Sequence, residues 1–200
     1  MNNVLVLSSS LNFEQGNSSQ LAQQFIDKLQ AQQTLHLTKR DLAKQPLDHL
    51  TIEEVQAWMT ANEQKTPEQH NLSALSDNLI EEVQKADTLI IAMPMYNFGI
   101  PSTFKTWMDR VARAGVTFKY TDNGPVGLLT NKKVIIIAAR GGAYQGTVKD
   151  SQSQHLSDFF ALIGITDVEF IYAEGLNMGQ QEQSFTQAAQ QMDKMISALS

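Results

Sequence analysis

Val134-Ile135-Ile136-Ile137-Ala138 is an apolar run with no polar residue inside it. A strand with one wet face alternates apolar and polar side chains. An unbroken run therefore belongs to a strand covered on both faces, as in a parallel sheet held between two layers of helix. Residues 4–7 (Val-Leu-Val-Leu), 88–92 (Thr-Leu-Ile-Ile-Ala) and 168–172 (Val-Glu-Phe-Ile-Tyr) are nearly continuous in hydrophobicity and suit the same kind of strand, and residues 34–37 are a weaker candidate for an edge strand.

Between these strands, apolar residues recur at helical spacing. The sets are Leu21, Phe25, Ile26 and Leu29; Leu75, Leu79, Ile80 and Val83; Phe104, Trp107, Met108 and Val111; Leu156, Phe159, Phe160 and Ile163; and Ala188, Met192, Met195 and Leu199. Strand–helix units in succession predict an α/β sandwich with a parallel sheet and right-handed crossovers. Two stretches interrupt the pattern. Residues 51–70 suggest an extra short helix around Glu53, Glu54, Trp58 and Met59, and residues 115–131 form an excursion with a turn at Asp122-Asn123-Gly124-Pro125. Neither reads as a linker, so residues 1–200 are expected to form one domain.

Composition narrows the chemistry. The chain has 200 residues, 15 Lys and Arg against 21 Asp and Glu for a formal charge of -6, and no Cys. Disulfide scaffolds, thiolate nucleophiles and Cys-ligated metal centres are thereby excluded. The acidic balance, with no basic run longer than Lys39-Arg40 or Lys132-Lys133, gives no general attraction to nucleic acid or anionic lipid. The first residues carry no basic flank and too short an apolar run for a signal peptide or membrane span, so a cytoplasmic location is expected. His36, His49, His70 and His155 are scattered without helical pairing, which argues against a metal site, and no G-x-S-x-G elbow is present.

In an open parallel sheet, ligands bind beyond the carboxyl ends of the strands. Three loops there carry chemistry. Residues 8–19 hold Ser8, Ser9, Ser10, Gly16, Asn17, Ser18 and Ser19 and then open a helix; hydroxyls, an amide and free helix N–H groups can together hold a phosphate. No Lys or Arg precedes Lys28, and neither G-x-G-x-x-G nor the P-loop lysine is present, so a single phosphate, as in FMN, fits better than NAD, FAD or ATP. A merely polar loop with an N-cap has the same composition. The second loop, Pro94-Met95-Tyr96-Asn97-Phe98-Gly99-Ile100-Pro101, offers a stiff backbone and flat faces suited to a planar heterocycle, or else to packing beneath a loop. The third, Ala139-Arg140-Gly141-Gly142, lets peptide N–H groups approach a ring edge while Arg140 favours negative charge on it; a salt bridge and a plain turn are the alternatives.

With these loops located, the sequence resembles the FMN-dependent NADH:quinone oxidoreductases, also known as bacterial azoreductases. The resemblance rests on Pro94 to Phe98, on Val111-Ala112-Arg113-Ala114-Gly115-Val116-Thr117-Phe118-Lys119-Tyr120 with Asn123-Gly124-Pro125, on Arg140-Gly141-Gly142, and on Ile163-Gly164-Ile165-Thr166-Asp167. It implies a flavodoxin-like three-layer sandwich with a five-stranded parallel sheet in the order 2-1-3-4-5. It also implies FMN phosphate contacts at Ser10, Gly16, Asn17 and Ser18, ring contacts at Met95, Tyr96, Asn97 and Phe98, and contacts to the pyrimidine side of the ring from Ala139, Arg140, Gly141 and Gly142. Gly16 and Ala139 stand where relatives often have serine, leaving only backbone contacts there.

The resemblance further implies a homodimer with FMN near the interface, and a substrate pocket walled by Tyr120 beside Phe159 or Phe160 from the partner copy. NADH or NADPH would deliver hydride to flavin N5 and leave, after which a quinone or azo compound takes the same place; ping-pong kinetics follow, with no catalytic side chain. Backbone N–H groups of Asn97, Gly141 and Gly142, supported by Arg140, would stabilise the anionic reduced ring. Two other readings remain open: an FMN electron carrier of the flavodoxin type, and a colourless structural α/β domain.

Overall fold

The structure, a computed structural model, describes residues 2–199, with the backbone but not the side chain of Leu199. Its central sheet consists of β1 (Asn3–Ser8), β2 (His36–Asp41), β3 (Thr88–Pro94), β6 (Lys133–Ala139) and β7 (Asp167–Ala173), all parallel and ordered β2-β1-β3-β6-β7. An antiparallel hairpin, β4 (Phe118–Thr121) and β5 (Gly124–Gly127), stands outside the sheet. With the hairpin set aside, the order is the flavodoxin-like 2-1-3-4-5.

Strand alternation divides the interior into two cores. Leu5, Leu7, Leu89, Ile91, Met93, Val134, Ile136 and Ala138 point to the face covered by α3 (Pro67–Lys85), α4 (Ser102–Val111) and α5 (Ser151–Ile163). Val4, Val6, Ile90, Ala92, Ile135 and Ile137 point to the face covered by α1 (Asn17–Gln30) and α6 (Gln181–Leu199). Every residue of β3 is buried, as are all of β6 after Lys133. Each fully buried Val, Leu or Ile contributes about 1.5–3 kcal/mol relative to exposure, so β3 and β6 are the fixed frame from which the functional loops emerge.

β7 forms one edge of the sheet; the other, beside β1, is His36–Asp41, displaced from the expected residues 34–37. It runs from Asn3↔His36 to Ser8↔Asp41 along β1, and its sequence, His-Leu-Thr-Lys-Arg-Asp, has no buried residue. Backbone pairing selects this segment, so hydropathy does not report it.

The extra short helix is α2 (Ile52–Met59), started by reciprocal bonds between Thr51 and Glu54; α3 starts the same way with Thr66 and Gln69. Arg110, on α4 and 2% exposed, grips both oxygens of Glu54 at 3.0 and 2.9 Å and donates to Asp48 O at 2.6 Å. One buried cation thus fastens α2 and the chain before it to α4.

The Asp122-Asn123 turn closes the hairpin, whose root docks on the end of α5. Leu129 N donates to Ile163 O at 2.9 Å. Gly164 ends α5 in the left-handed region at φ 101, and a Cβ built on Gly127 would lie 2.0 Å from Gly164 N. Only two glycines permit that approach.

Candidate functional site

Parallel register brings the carboxyl ends of the strands to one rim: Ser8 pairs with Ala92, Pro94 with Ala139, and Ala139 with Ala173. The three sequence-selected loops all leave from it.

At the first loop, Gly16 is the N-cap of α1 and supplies no side-chain cap. The amide groups of Asn17, Ser18 and Ser19 open the helix, and the Ser18 and Ser19 hydroxyls are buried without a hydrogen-bond partner. Buried hydroxyls normally find partners. Two orphans beside the positive end of a helix dipole are what a site for an anion looks like before the anion arrives. Ser10 is 3% exposed, and its Oγ accepts from Asn12 N at 3.2 Å. A Cβ on Gly16 would lie 2.1 Å from that Oγ, so the glycine is a steric consequence of where Ser10 sits.

The second loop is a tight reversal. Tyr96 and Gly99 exchange both backbone bonds, at 3.1 and 2.9 Å, around Asn97 (φ 50) and Phe98 (φ 65). Positive φ at both central positions is the primed-turn geometry that normally calls for Asn and Gly. For a phenylalanine it stores strain of order 1–3 kcal/mol, which persists only where surrounding contacts over-determine the backbone. The Tyr96 hydroxyl accepts from Leu11 N at 3.0 Å, joining this turn to the first loop, and the Phe98 ring meets Tyr144 edge-on at 5.3 Å.

Met95, Asn97, Phe98, Gly141, Gly142, Tyr144, Asn177 and Met178 line one cleft of about 460 Å³. Ala139 accepts from Met95 N at 3.1 Å, while the Gly141 and Gly142 carbonyls are taken by Asn177 N and Gly175 N. Among the described residues neither glycine N–H donates to another backbone group, and both residues line the cleft. A Cβ on Gly141 would lie 2.6 Å from Asn177 Nδ2, and one on Gly142 would lie 2.6 Å from the Tyr144 hydroxyl, so a side chain at either position displaces a neighbour that lines the cleft.

The structure corrects the role expected of Arg140. Its side chain is fully buried, paired with Asp150 at 2.9 Å and Glu174 at 3.0 Å, bonded to Gln152 and Ser153, and stacked 5.0 Å over Tyr172. A guanidinium neutralised by two carboxylates lends no net charge to the cleft. Burial pushes the Asp150 carboxyl up, but the bonds from Arg140 and Ser153 outweigh it and hold the group below its ordinary value. Phe159 and Phe160, expected as pocket walls from the partner copy, are core side chains of their own chain. Both are buried in the core beneath α5, with Phe160 fully enclosed and Phe159 6.0 Å from Trp107, because the helical period that places Leu156 and Ile163 inward also turns these rings inward. Tyr120 is 75% exposed near the hairpin tip.

Asn177 and Met178 were missed by sequence reasoning. The rule that selects loops at strand carboxyl ends applies equally to the loop after β7, and the run Gly175-Leu176-Asn177-Met178-Gly179 carried the signal.

Size alone does not identify the site. A larger groove of about 750 Å³ lies between α1 and β2, but its cations are engaged: Lys28 by Asp193, Arg40 by Glu82, Lys44 by Glu14 and Lys39 by Gln23. Ser19 lies on the border of this groove and the first loop, but only the rim joins neutral donors for one phosphate to a flat cleft for one ring. That donor set fits FMN.

Known proteins agree with this geometry. The chain is 50% identical over 196 residues, 98% of each chain, to a protein from Alteromonas mediterranea named FMN-dependent NADH:quinone oxidoreductase. A Cellvibrio japonicus protein of the same name is 49% identical over 199 residues, 99% of this chain and 100% of its own. Among solved structures, an azoreductase from Bacillus anthracis superposes with a TM-score of 0.88 at 27% identity, over 98% of this chain and 99% of its own. The flavodoxin-like fold family matches residues 2–196, and together with relatives of this identity and span it places the chain in the flavodoxin-like family of FMN-dependent NADH:quinone oxidoreductases.

Proposed function

We propose that this chain, working as one FMN-binding domain, uses NADH or NADPH to reduce quinones to hydroquinones and to cleave aromatic azo compounds to amines. The observation that carries the reading is the conjunction, at one rim, of two orphaned buried hydroxyls at the start of α1 with a strained aromatic turn that shares a cleft with Gly141 and Gly142. When bound, FMN supplies the two-electron chemistry between nicotinamide and acceptor.

The protein's part is to bind, orient and leave one face open. Ser10, Asn17, Ser18 and Ser19, with the first amides of α1, would take the phosphate; Gly16 contributes backbone only. Met95, Tyr96, Asn97 and Phe98 would hold the ring on one side. The amides of Gly141 and Gly142, and that of Asn97, are donors for its polar edge, and preorganised donors of this kind stabilise developing negative charge. Arg140 acts at a distance by holding the third loop. Ala139 lacks a hydroxyl and contributes main chain.

Two copies are expected to associate, with exposed Tyr120, Val126 and Leu128 on and beside the hairpin available to the partner or to a flat substrate. Among the described residues no helix is long and apolar enough to cross a membrane; the charge of -6 disfavours nucleic-acid partners, and the proposed setting is a cytoplasmic enzyme of small molecules. Purified protein should be yellow, bleach on anaerobic mixing with NADH or NADPH and regain its colour with a quinone, giving parallel lines in double-reciprocal plots. Flavin that bleaches only when a separate reductase is added would identify an electron carrier instead, and colourless protein that takes up no FMN would end the flavin reading.

A further inference from the structure

The geometry points to Gln152, on the first turn of α5, as a positioning residue that holds the Tyr96–Gly99 turn in its ring-binding conformation. Gln152 is 1% exposed, and both N–H donors and the oxygen of its amide are engaged. Nε2 donates to Pro94 O at 2.9 Å and to Gly99 O at 3.1 Å, while Oε1 accepts from Arg140 Nε at 3.3 Å. Two carbonyls are obligate acceptors and a guanidinium is an obligate donor, so only one amide orientation satisfies all three.

The neighbours complete the clamp. Ser151 Oγ donates to Phe98 O at 2.8 Å, and Arg140 is itself fixed by Asp150 and Glu174. Glu174 also accepts from Tyr144 N at 2.9 Å and Gln145 N at 3.0 Å, and Tyr144 braces Phe98. The second and third loops are therefore tied together through Gln152 and Arg140. A turn with two non-glycine residues at positive φ needs such over-determination from outside itself. Two mutual backbone bonds set its span; Gln152 and Ser151 fix its angle against the sheet.

This role rests on FMN being the ligand of the rim. It separates the ring half of that site from the phosphate half, which lies at the start of α1 and shares no bond with Gln152. Gln152→Glu keeps the shape and the bond from Arg140 but sets a carboxylate oxygen against two carbonyls; Gln152→Leu removes all three bonds.

The test titrates flavin-free wild type, Q152E, Q152L and S18A with FMN and with riboflavin, following flavin fluorescence and the visible bands. Both Gln152 variants should weaken FMN and riboflavin by the same factor, about tenfold or more, and shift the flavin bands, whereas S18A should weaken FMN alone. Loss of stability without loss of position would lower the melting temperature and leave both affinities and the spectrum unchanged at 20 °C or below. That result overturns the role, as does a loss confined to FMN. Should Q152L fail to fold, the isosteric Q152E decides. Wild type that takes up neither flavin overturns the FMN reading and this role together; wild type that binds both while the Gln152 variants match it overturns this role only.

Discussion

Replacing Gly16 by serine should harm this chain. The new Cβ would stand 2.1 Å from Ser10 Oγ, 2.7 Å from Ser10 Cβ and 3.3 Å from Phe13 O. Rotating the Ser10 hydroxyl cures the first contact but not the second, because a Cβ moves only with its backbone. Relief therefore requires the residues around 10–16 to shift by several tenths of an ångström, an overpacking cost of about 1–3 kcal/mol. For a chain of this size about 2–4 °C of melting temperature corresponds to each kcal/mol, so Gly16→Ser should melt roughly 2–12 °C below wild type. Ser10→Gly removes both close atoms, and the double variant should recover most of the loss, with a coupling energy of at least about 1 kcal/mol in the four-member cycle. The assay is thermal unfolding of the flavin-free proteins by circular dichroism. A Gly16→Ser protein melting within about 1 °C of wild type, or strict additivity with Ser10→Gly, would refute the steric argument.

Three other perturbations test separate parts of the structure. Ser18→Ala removes a buried hydroxyl that has no partner in the free chain, so the flavin-free protein should melt no lower than wild type while FMN affinity, measured by fluorescence quenching, falls about tenfold or more. Glu54→Gln leaves the buried Arg110 guanidinium without its counter-charge and should cost about 3–5 kcal/mol in urea unfolding; a loss under about 1 kcal/mol would show that the pair is idle. Asp150 has a folded value depressed below its unfolded value of about 3.9, so its contribution is complete above that pH and is lost as pH falls through the folded value. Asp150→Asn should accordingly flatten the acid limb of stability below about pH 4, and an unchanged limb would exclude the Arg140–Asp150 pair as its origin.

The legibility of this molecule in its sequence follows from which forces leave a pattern. β1, β3 and β6 are visible because burial on two faces demands continuous apolar runs, and the helices because one stripe must face the sheet; β7, an edge strand with only Ile171 and Ala173 buried, is visible through its β-branched and aromatic residues instead. β2 was misplaced because an exposed edge is chosen by backbone pairing, which leaves no hydropathic trace. The rim loops could be located from topology, and Asn97 and Phe98 sit there with the strain a functional turn tolerates. The direction of a side chain could not be located. Arg140 was expected in the cleft because the glycines beside it are there, yet Asp150 and Glu174, 10 and 34 residues further along the chain, draw its guanidinium inward. Gln152 gave no signal at all, since a glutamine in a helix's first turn is ordinary until its three partners are known.

The docking of the hairpin through Gly127 and Gly164 bears on how such a protein diversifies. Its root is constrained by those two glycines and by buried Phe118 and Leu129, while Tyr120 and Val126 stand in solvent. On the proposed reading, in which Tyr120 meets a flat substrate, the outer tip is where the roster of acceptable aromatic guests can change at least cost to the scaffold. An engineer seeking a new acceptor should randomise there first, because errors at the tip leave the redox core undisturbed.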